Sequence, residues 1–355
     1  MADGPLQNMY SIEIKSSLGN YFVEFDYTNL ELDFRNVILI KDANVKTPEY
    51  LQLVESQIQV TGNEELKTLD AASNLLSQLS ALKANRNTLL IAIGGGSVQD
   101  ICTLVASLYM RGINWIYIPT TLMAIADSCI GGKSSINVGK IKNLIGNFYP
   151  PMKIIVDLDY VDTLSKQSIA SGLLEAVKIN FAKNPAQTES WMLLSNEWLK
   201  SEDRQLLLDS IVVTLESKKW FIEIDEFDKK ERKLLNFGHS FGHALESAMD
   251  MKIQHGLAVG LGMLCALRFS ESKSKPLENY IKRLLKWCNF RSTDFIFNSD
   301  KFKSALALDK KNSAEIQRLV ILDGNNSLTL RDFELKPAFL EQQSEVMLEI
   351  LGDYK

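Results

Sequence analysis

A single stretch near residue 90 limits the fold more than any other part of the chain. Residues 88–93, TLLIAI, form an unbroken apolar run that predicts a buried β-strand. The run passes directly into the glycines Gly94–Gly96, and helical spacing of apolar residues begins at Ile101. A strand, a glycine turn and a helix N-terminus form a cradle for a phosphate, because free backbone amides and the helix dipole point towards it. A tight turn in any α/β protein would also explain the glycines, and Gln99 replaces the third glycine of the usual dinucleotide fingerprint.

Short apolar runs on either side of this stretch extend the predicted sheet. Val37–Ile40, Trp115–Ile118 and Lys153–Val156 each predict a buried strand, and the first ends in a polar loop, where α/β proteins bind ligands. Residues 10–31 alternate loosely and predict strands at an edge. Beyond the last of these runs, long helical periodicity dominates. We therefore expect an α/β fold with a Rossmann-like α/β domain over residues 1–165 and a mainly α-helical domain over residues 166–355.

Composition limits the classes of function. The chain has 355 residues, of which 46% are hydrophobic and 23% charged, as in globular proteins with two domains. Its net charge of −5 offers no basic surface for nucleic acid. No apolar run reaches the length of a membrane span, and the N-terminus lacks the pattern of a signal peptide. Four scattered cysteines without a CxxC pair predict a reduced, cytoplasmic compartment.

The three histidines of the chain all lie between residues 239 and 255. His239 and His243 are spaced i, i+4 and would share one face of a helix, with His255 following. Three imidazoles in so short a stretch favour a metal site over polar side chains packed between helices. Spacing alone would pair His239 with His243 as ligands, as in HExxH helices.

Two charged pairs are ambiguous from spacing. Glu175 and Lys178 are spaced i, i+3, and periodicity alone favours an ordinary ion pair on a helix surface. Glu64 and Lys67 precede an amphipathic helix predicted over residues 69–82, and sequence alone favours an exposed pair at the helix start.

Residues 127–148 combine glycines with polar side chains that suit an anionic ligand. A flexible surface loop is the alternative interpretation. Apolar residues within the segment favour a packed loop; they are Ile130, Ile136, Leu144, Ile145 and Phe148.

Together these segments resemble the dehydroquinate synthase family of sugar phosphate cyclases. The motifs that carry the resemblance occur in the family's order between about residues 60 and 312; they are GGGSVQD, YMRGI, PTTLMAIADS, GGKSSIN, GKIKNLIGNFYPP, SGLLEAVK, DEFDKKERKLLNFGHSFGHA, HGLAVGLGM and DKKN. The iron-dependent alcohol dehydrogenases and glycerol dehydrogenases are more distantly similar in fold.

The resemblance implies a metal site and a reaction. Glu175, His239 and His255 would bind one divalent metal ion, zinc or cobalt, and His243 would instead face the substrate near its leaving phosphate. The substrate would be 3-deoxy-arabino-heptulosonate 7-phosphate. NAD would oxidise a ring hydroxyl, phosphate would be eliminated, the hydride would return, and the opened ring would close by an intramolecular aldol step. The product would be 3-dehydroquinate, an intermediate of the shikimate pathway and of aromatic amino acid biosynthesis.

The resemblance also implies roles for other residues. Those on the phosphate would be Arg111, Lys133, Asn143 and Lys310 or Lys311. Lys178 would lie beside the metal. Those at the carboxylate and hydroxyl end would be Lys218, Arg232 and Asn236. The NAD site would contain Asp42, Glu64, Lys67, Gly95, Gly96, Ser97, Val98, Gln99, Asp100, Thr120, Thr121, Asp127, Lys133, Lys142 and Thr163. Members of the family are expected to be homodimers, and Arg111 could serve either its own subunit or the partner's.

Three positions depart from the family pattern. Ser97 stands where a branched apolar residue is usual, Gln99 where a small one is common, and Leu257 where an acid is common. A missing carboxylate at residue 257 would alter how His255 is oriented. Three alternatives remain: a cyclase that makes a cyclitol, a metal-dependent polyol dehydrogenase, and a non-catalytic relative. The presence of Lys218, Arg232 and Asn236 favours the substrate that bears a carboxylate.

Overall fold

The computed structural model describes residues 10–25, 34–139, 141–309, 312 and 315–355. By its internal contacts the chain divides into two compact units, Met1–Thr163 and Leu164–Lys355.

The first unit is an α/β structure. Its strands are β1 (Ser11–Ile14), β2 (Tyr21–Phe25), β3 (Val37–Asp42), β4 (Gln57–Val60), β5 (Leu89–Gly94), β6 (Trp115–Pro119), β7 (Ile136–Val138), β8 (Ile141–Ile145) and β9 (Lys153–Val156). Its helices are α1 (Leu69–Ala81) and α2 (Gly96–Leu108). Within the described ranges, seven strands form one sheet in the order β1-β2-β9-β6-β5-β3-β4. All neighbours are parallel except β1 and β2, which form an antiparallel edge.

The sheet confirms the expected Rossmann-like fold. The four central apolar runs are strands, because parallel strands covered on both faces need continuous hydrophobic sequence. The predicted edge strands are present as β1 and β2, while residues 26–31 of that prediction lie outside the described part. The chain adds β4 on one side of β3 and then adds β5, β6 and β9 in turn on the other side. The order of strand addition therefore reverses between β3 and β5. Ligands of doubly wound sheets bind at such a reversal, beyond the carboxyl ends of the strands.

The segment after β6 is more ordered than a surface loop but only partly packed. Residues Ala124–Ser128 form a π-helix, and β7 and β8 form an antiparallel hairpin. Ile130 and Ile136 are buried as predicted. Leu144 and Ile145 are exposed, so the prediction that they are packed is wrong, because they lie on a two-stranded hairpin outside the main sheet.

The second unit is mainly helical. Its helices are α3 (Lys166–Lys183), α4 (Pro185–Ser201), α5 (Arg204–Ile224), α6 (His239–Ala248), α7 (His255–Arg268), α8 (Lys275–Trp287), α9 (Ser299–Ala307) and α10 (Pro337–Gly352). An antiparallel pair, β10 (Ile316–Leu322) and β11 (Leu328–Glu334), accompanies them. None of the helices described is long and apolar enough to span a bilayer.

Two helices form the centre of the second unit. Every residue from Ala170 to Phe181 in α3 is buried, and so is every residue from Gly256 to Leu267 in α7. A helix buried all round is a core element, and its polar residues are desolvated unless they find partners. Glu175, in the buried middle of α3, therefore lies where an unpaired charge is costly, whereas His255 begins α7 at a partly exposed end.

Candidate active site

Three helices bring the histidines and Glu175 together. His239 and His243 lie one turn apart on α6, as their spacing predicts. His255 is the first residue of α7, and Glu175 lies in the buried middle of α3. The site therefore depends on how closely α3, α6 and α7 approach one another.

Glycines permit that close approach. Gly238 precedes α6 with φ +79°, and a Cβ there would lie 2.8 Å from the Val259 carbonyl oxygen of α7. At Gly256 a Cβ would lie only 2.1 Å from the Ser171 carbonyl oxygen of α3. The Gly256 amide donates a 3.0 Å hydrogen bond to Ser171 Oγ. Backbone contact between these helices thus fixes His255 next to α3.

The distances among the polar atoms fit a metal centre. Glu175 Oε1 lies 3.6 Å from His255 Nε2 and 3.9 Å from His239 Nε2. Two ligands about 2.1 Å from a tetrahedral zinc ion are separated by about 3.4 Å. Glu175 Oε1 is buried and has no hydrogen-bond partner among the described residues. An orphaned carboxylate oxygen facing two imidazole nitrogens fits a divalent cation, which would satisfy it.

The geometry also permits an all-histidine set. Ligand atoms of His239, His243 and His255 all lie within 4.8 Å of one another. His243 is exposed, whereas Glu175 is 1% exposed and its Oε1 has no hydrogen-bond partner in the described part of the chain. The burial of an unsatisfied acid makes Glu175, His239 and His255 the better set, and leaves His243 at the solvent side.

The charge of Glu175 is only partly balanced. Lys178 donates to Glu175 Oε2, and both side chains are buried. The expectation of a surface ion pair is therefore wrong, because α3 is a core helix on all sides. Burial would lower the pKa of His255, but the hydrogen bond and charge of Glu246, with the charge of Glu175, raise it. A metal ion bound at His255 would compete with a proton.

Further buried cations belong to the same unit. Lys218 lies on α5, and Arg232 lies in a 3₁₀ segment, Glu231–Asn236, that packs against α3 and α5. Both side chains are about 5% exposed or less. The helix does not run continuously from Arg232 to His239. The 3₁₀ segment ends before Phe237, and Gly238 with its positive φ separates it from α6.

The loop before Arg232 is held by one carboxylate. Asp225 accepts backbone hydrogen bonds of 2.9, 2.7 and 3.1 Å from Lys229, Lys230 and Arg232. Burial raises the pKa of Asp225, but these three bonds and the Arg232 charge together lower it below its usual value. The Arg232 guanidinium also donates to the Glu226 carbonyl oxygen. Asp225 was missed from the sequence, where it is one acid within a charged run.

In the first unit, the residues predicted to bind NAD gather mainly at the carboxyl edge of the sheet. Asp42 ends β3, Gly95–Asp100 follow β5 and begin α2, and Thr120 and Thr121 follow β6. These strands are consecutive neighbours in the sheet, and the reversal lies between β3 and β5. A Cβ at Gly95 would lie 3.1 Å from Thr121 Cγ2, so the turn leaves little space beside Thr121. Gln99, which departs from the family pattern, is buried and exchanges hydrogen bonds of 2.6 and 2.7 Å with Ser128.

Lys67 is the centre of a polar network beside this edge. Its Nζ lies 2.9 Å from Asp100 Oδ2 and 3.4 Å from Glu64 Oε1, and it donates 2.8 Å to Asn143 Oδ1. Lys67 is 6% exposed, so the prediction of an exposed pair is wrong for this residue. Burial would lower the pKa of Lys67, but the neighbouring acids raise it. The network ties Asn143, which has φ +50°, to the start of α2.

The other predicted residues are more dispersed. Asp127 lies in the π-helix, Lys133 lies before β7, Lys142 lies in β8, and Thr163 ends a 3₁₀ segment. Arg111 follows the far end of α2 with φ +69°. A helix of this length spans about 20 Å, so Arg111 is remote from the glycine turn. Lys310 and Lys311 lie outside the described residues.

Comparison with known proteins identifies the family. Residues 57–171 match the family model described as 3-dehydroquinate synthase N-terminal, and residues 172–312 match 3-dehydroquinate synthase C-terminal. The 3-dehydroquinate synthase of Clostridium tetani is 33% identical over 326 residues, covering 89% of this chain and 87% of that protein. The chain belongs to the 3-dehydroquinate synthase family. The resemblance seen in the sequence motifs is thereby confirmed.

Two solved structures with other names share the fold. A 2-deoxy-scyllo-inosose synthase, complexed with carbaglucose-6-phosphate, NAD⁺ and Co²⁺, matches with a TM-score of 0.77 and 23% identity, covering 96% of this chain and 100% of that one. A 2-epi-5-epi-valiolone synthase from Streptomyces hygroscopicus, with NAD⁺ and Zn²⁺ bound, has a TM-score of 0.78 at 20% identity, with full coverage of both chains. The chain thus shares its fold with these two synthases.

Proposed function

We propose that this chain is a 3-dehydroquinate synthase, which converts 3-deoxy-arabino-heptulosonate 7-phosphate into 3-dehydroquinate and phosphate. Family membership supports the reaction. The observation that carries it in this chain is the buried Oε1 of Glu175, which faces His239 and His255 and has no hydrogen-bond partner among the residues described. A divalent ion held there could stabilise negative charge on a substrate hydroxyl during a transient oxidation.

Glu175, His239 and His255 would hold one divalent ion, with Co²⁺ or Zn²⁺ as the ions found in the two cyclase structures. Bound there, the ion would supply Lewis-acid stabilisation of charge on a substrate oxygen. Lys178 holds the other oxygen of Glu175, which keeps Oε1 directed at the two imidazoles. Lys178 therefore orients a ligand and compensates its charge.

NAD would bind at the carboxyl edge of the parallel sheet and supply a reversible hydride acceptor. The proposed NAD residues are those named from the resemblance: Asp42, Glu64, Lys67, Gly95–Asp100, Thr120, Thr121, Asp127, Lys133, Lys142 and Thr163. Support comes from the placement of Asp42, the glycine turn and Thr120 beside the strand reversal. Lys67 would act mainly by holding Asp100 and Asn143, because it contacts both.

The anionic substrate would be held at both ends. Arg232, with Lys218 and Asn236, would bind the carboxylate and hydroxyl side, since an arginine fork matches two carboxylate oxygens. Buried cations suit this role, because a desolvated charge gains more from a paired anion than an exposed one. Lys133, Asn143, Lys310 and His243 would surround the phosphate, and His243 would be the group nearest its departure.

We further propose a cytoplasmic homodimer. The four cysteines are free and buried, as expected of a chain that functions in a reducing compartment. Arg111 lies at the opposite end of α2 from the glycine turn, which favours a role in the partner's phosphate site. Residues 1–165 would then form the NAD-binding domain, and residues 166–355 the metal- and substrate-binding domain.

One assay tests the reaction. Phosphate release from the heptulosonate phosphate should require NAD and a divalent ion, and NADH should not accumulate as product forms. Stoichiometric NADH production would contradict the proposal and indicate a polyol dehydrogenase. Faster turnover of a carboxylate-free hexose 6-phosphate would contradict it in favour of a cyclase that makes a cyclitol.

Arg232 separates these substrates most directly. Losing a charged hydrogen bond to the carboxylate costs roughly 1.5–3 kcal/mol, so Arg232→Ala should lower kcat/KM on the heptulosonate phosphate by at least about tenfold. The same change should leave turnover of the hexose phosphate nearly unaltered. Arg283→Ala, at an exposed arginine of α8, is the matched control. An equal loss of kcat/KM on both substrates would contradict the role assigned to Arg232.

A further inference from the structure

The imidazole of His255 lies between two carboxylates. Glu246 Oε2 is 3.3 Å from His255 Nδ1, and Glu175 Oε1 is 3.6 Å from His255 Nε2. Glu246 is 7% exposed and belongs to α6, three residues after His243. The same helix therefore supplies the ligand His239 and, two turns later, a carboxylate for the other histidine ligand.

A carboxylate at Nδ1 determines which ring nitrogen carries the proton. A neutral imidazole that donates Nδ1–H to Glu246 has its lone pair on Nε2, the atom that faces Glu175 and His239. Without an acceptor at Nδ1, the ring could rotate or place its proton on Nε2. Carboxylates that contact histidine ligands in this way orient the ring and increase its basicity.

No carboxylate comes from residue 257, where the resemblance described above would lead us to expect an acid. Leu257, two residues after His255, is apolar and 1% exposed. Within the described part of the chain, the carboxylate that contacts His255 Nδ1 is that of Glu246. The arrangement explains how His255 can be oriented although Leu257 offers no polar atom.

We propose that Glu246 is a positioning residue that keeps the proton of His255 on Nδ1 and so presents Nε2 to the metal ion. This inference rests on the proposed metal site, and it adds a residue outside the set of ligands and substrate contacts. Glu246 acts through His255 and needs no contact with the substrate. Removing the Glu246 carboxylate should therefore weaken metal binding and leave the fold unchanged.

Titration of the metal-free protein with Co²⁺, against a chromogenic chelator, tests the proposal. Losing such a carboxylate typically lowers metal affinity 10–100-fold, so the loss of Co²⁺ affinity in Glu246→Ala should lie in that range. Glu246→Gln keeps the length and one acceptor oxygen but loses the charge, so its metal affinity should fall by less than that of Glu246→Ala. Glu345→Gln, at an exposed position of α10, should bind like wild type.

The visible absorption spectrum of bound Co²⁺ distinguishes positioning from general destabilisation. At saturating Co²⁺, Glu246→Ala should have an altered spectrum while the circular dichroism of its metal-free form is unchanged. Wild-type affinity and spectrum in a folded Glu246→Ala protein would overturn the inference. Failure of wild type itself to bind one Co²⁺ per chain would instead overturn the proposed metal site.

Discussion

The backbone contact at Gly256 makes a quantitative prediction. A Cβ at this residue would lie 2.1 Å from the Ser171 carbonyl oxygen, whereas unstrained heavy-atom contacts lie at about 3.5 Å. Gly256→Ala must therefore separate α7 from α3 by about 1.4 Å, the difference between these two distances. The helix would gain up to about 1 kcal/mol from alanine, but overpacking costs about 1–3 kcal/mol, so the net effect should be destabilising.

The metal site should respond more than the fold does. Metal–ligand distances tolerate only about 0.2 Å, and the displaced helix begins with His255, 3.6 Å from Glu175. We expect Gly256→Ala to lower Co²⁺ affinity at least about tenfold. Gly352→Ala, at the end of α10 with no atom within 4 Å of the new Cβ, should change neither property.

Chelator competition and urea unfolding of the metal-free protein measure these two effects separately. Wild-type Co²⁺ affinity in Gly256→Ala would refute the argument that the contact between α3 and α7 sets the distance between Glu175 and His255. A loss of affinity in Gly352→Ala as well would show that any alanine has this effect.

Three further predictions concern other parts of the chain. The lowered pKa of Asp225 means that its contribution to stability is present above its unfolded pKa of about 3.9 and is lost as pH falls through the lower folded pKa. Asp225→Asn should therefore lower the urea midpoint at pH 7 and lose this effect in strong acid; an equal deficit at both pH values would contradict it. Lys67→Met leaves Asp100 without its cation and should lower the free energy of unfolding in urea by about 3–5 kcal/mol. The double variant Lys67→Met/Asp100→Asn should recover part of this loss. Thiol reagents should react slowly with the cysteines of the native protein and should label all four after unfolding. Rapid labelling of the native protein would contradict the burial of Cys102, Cys129, Cys265 and Cys288.

Local patterns in the sequence predicted the sheet well. Val37–Ile40 and Trp115–Ile118 are strands because parallel strands need apolar residues on both faces, which leaves a direct signal in sequence. The shared helix face of His239 and His243 follows from spacing in the same way. These features depend on neighbours within a few residues.

Burial of charged residues could not be predicted in that way. Glu175 and Lys178 have the spacing of a surface pair, and they are buried only because α3 lies inside the helical unit. Lys67 is buried because Asp100 and Asn143, distant in sequence, surround its ammonium group. Glu246 did leave a signal, since it is spaced i+3 from His243 and i+7 from His239 on one helix face.

The pairing of β2 with β9 has a consequence for synthesis on the ribosome. Phe22 is opposite Lys153, about 130 residues later in the chain. At about 5–20 residues per second, β2 would wait roughly 7–26 seconds before its parallel neighbour is made. During that interval β1 and β2 have only each other, and a lone hairpin is marginally stable in water. The strands translated first are therefore among the last to join the sheet, which makes this edge the part of the nascent chain most in need of protection from aggregation.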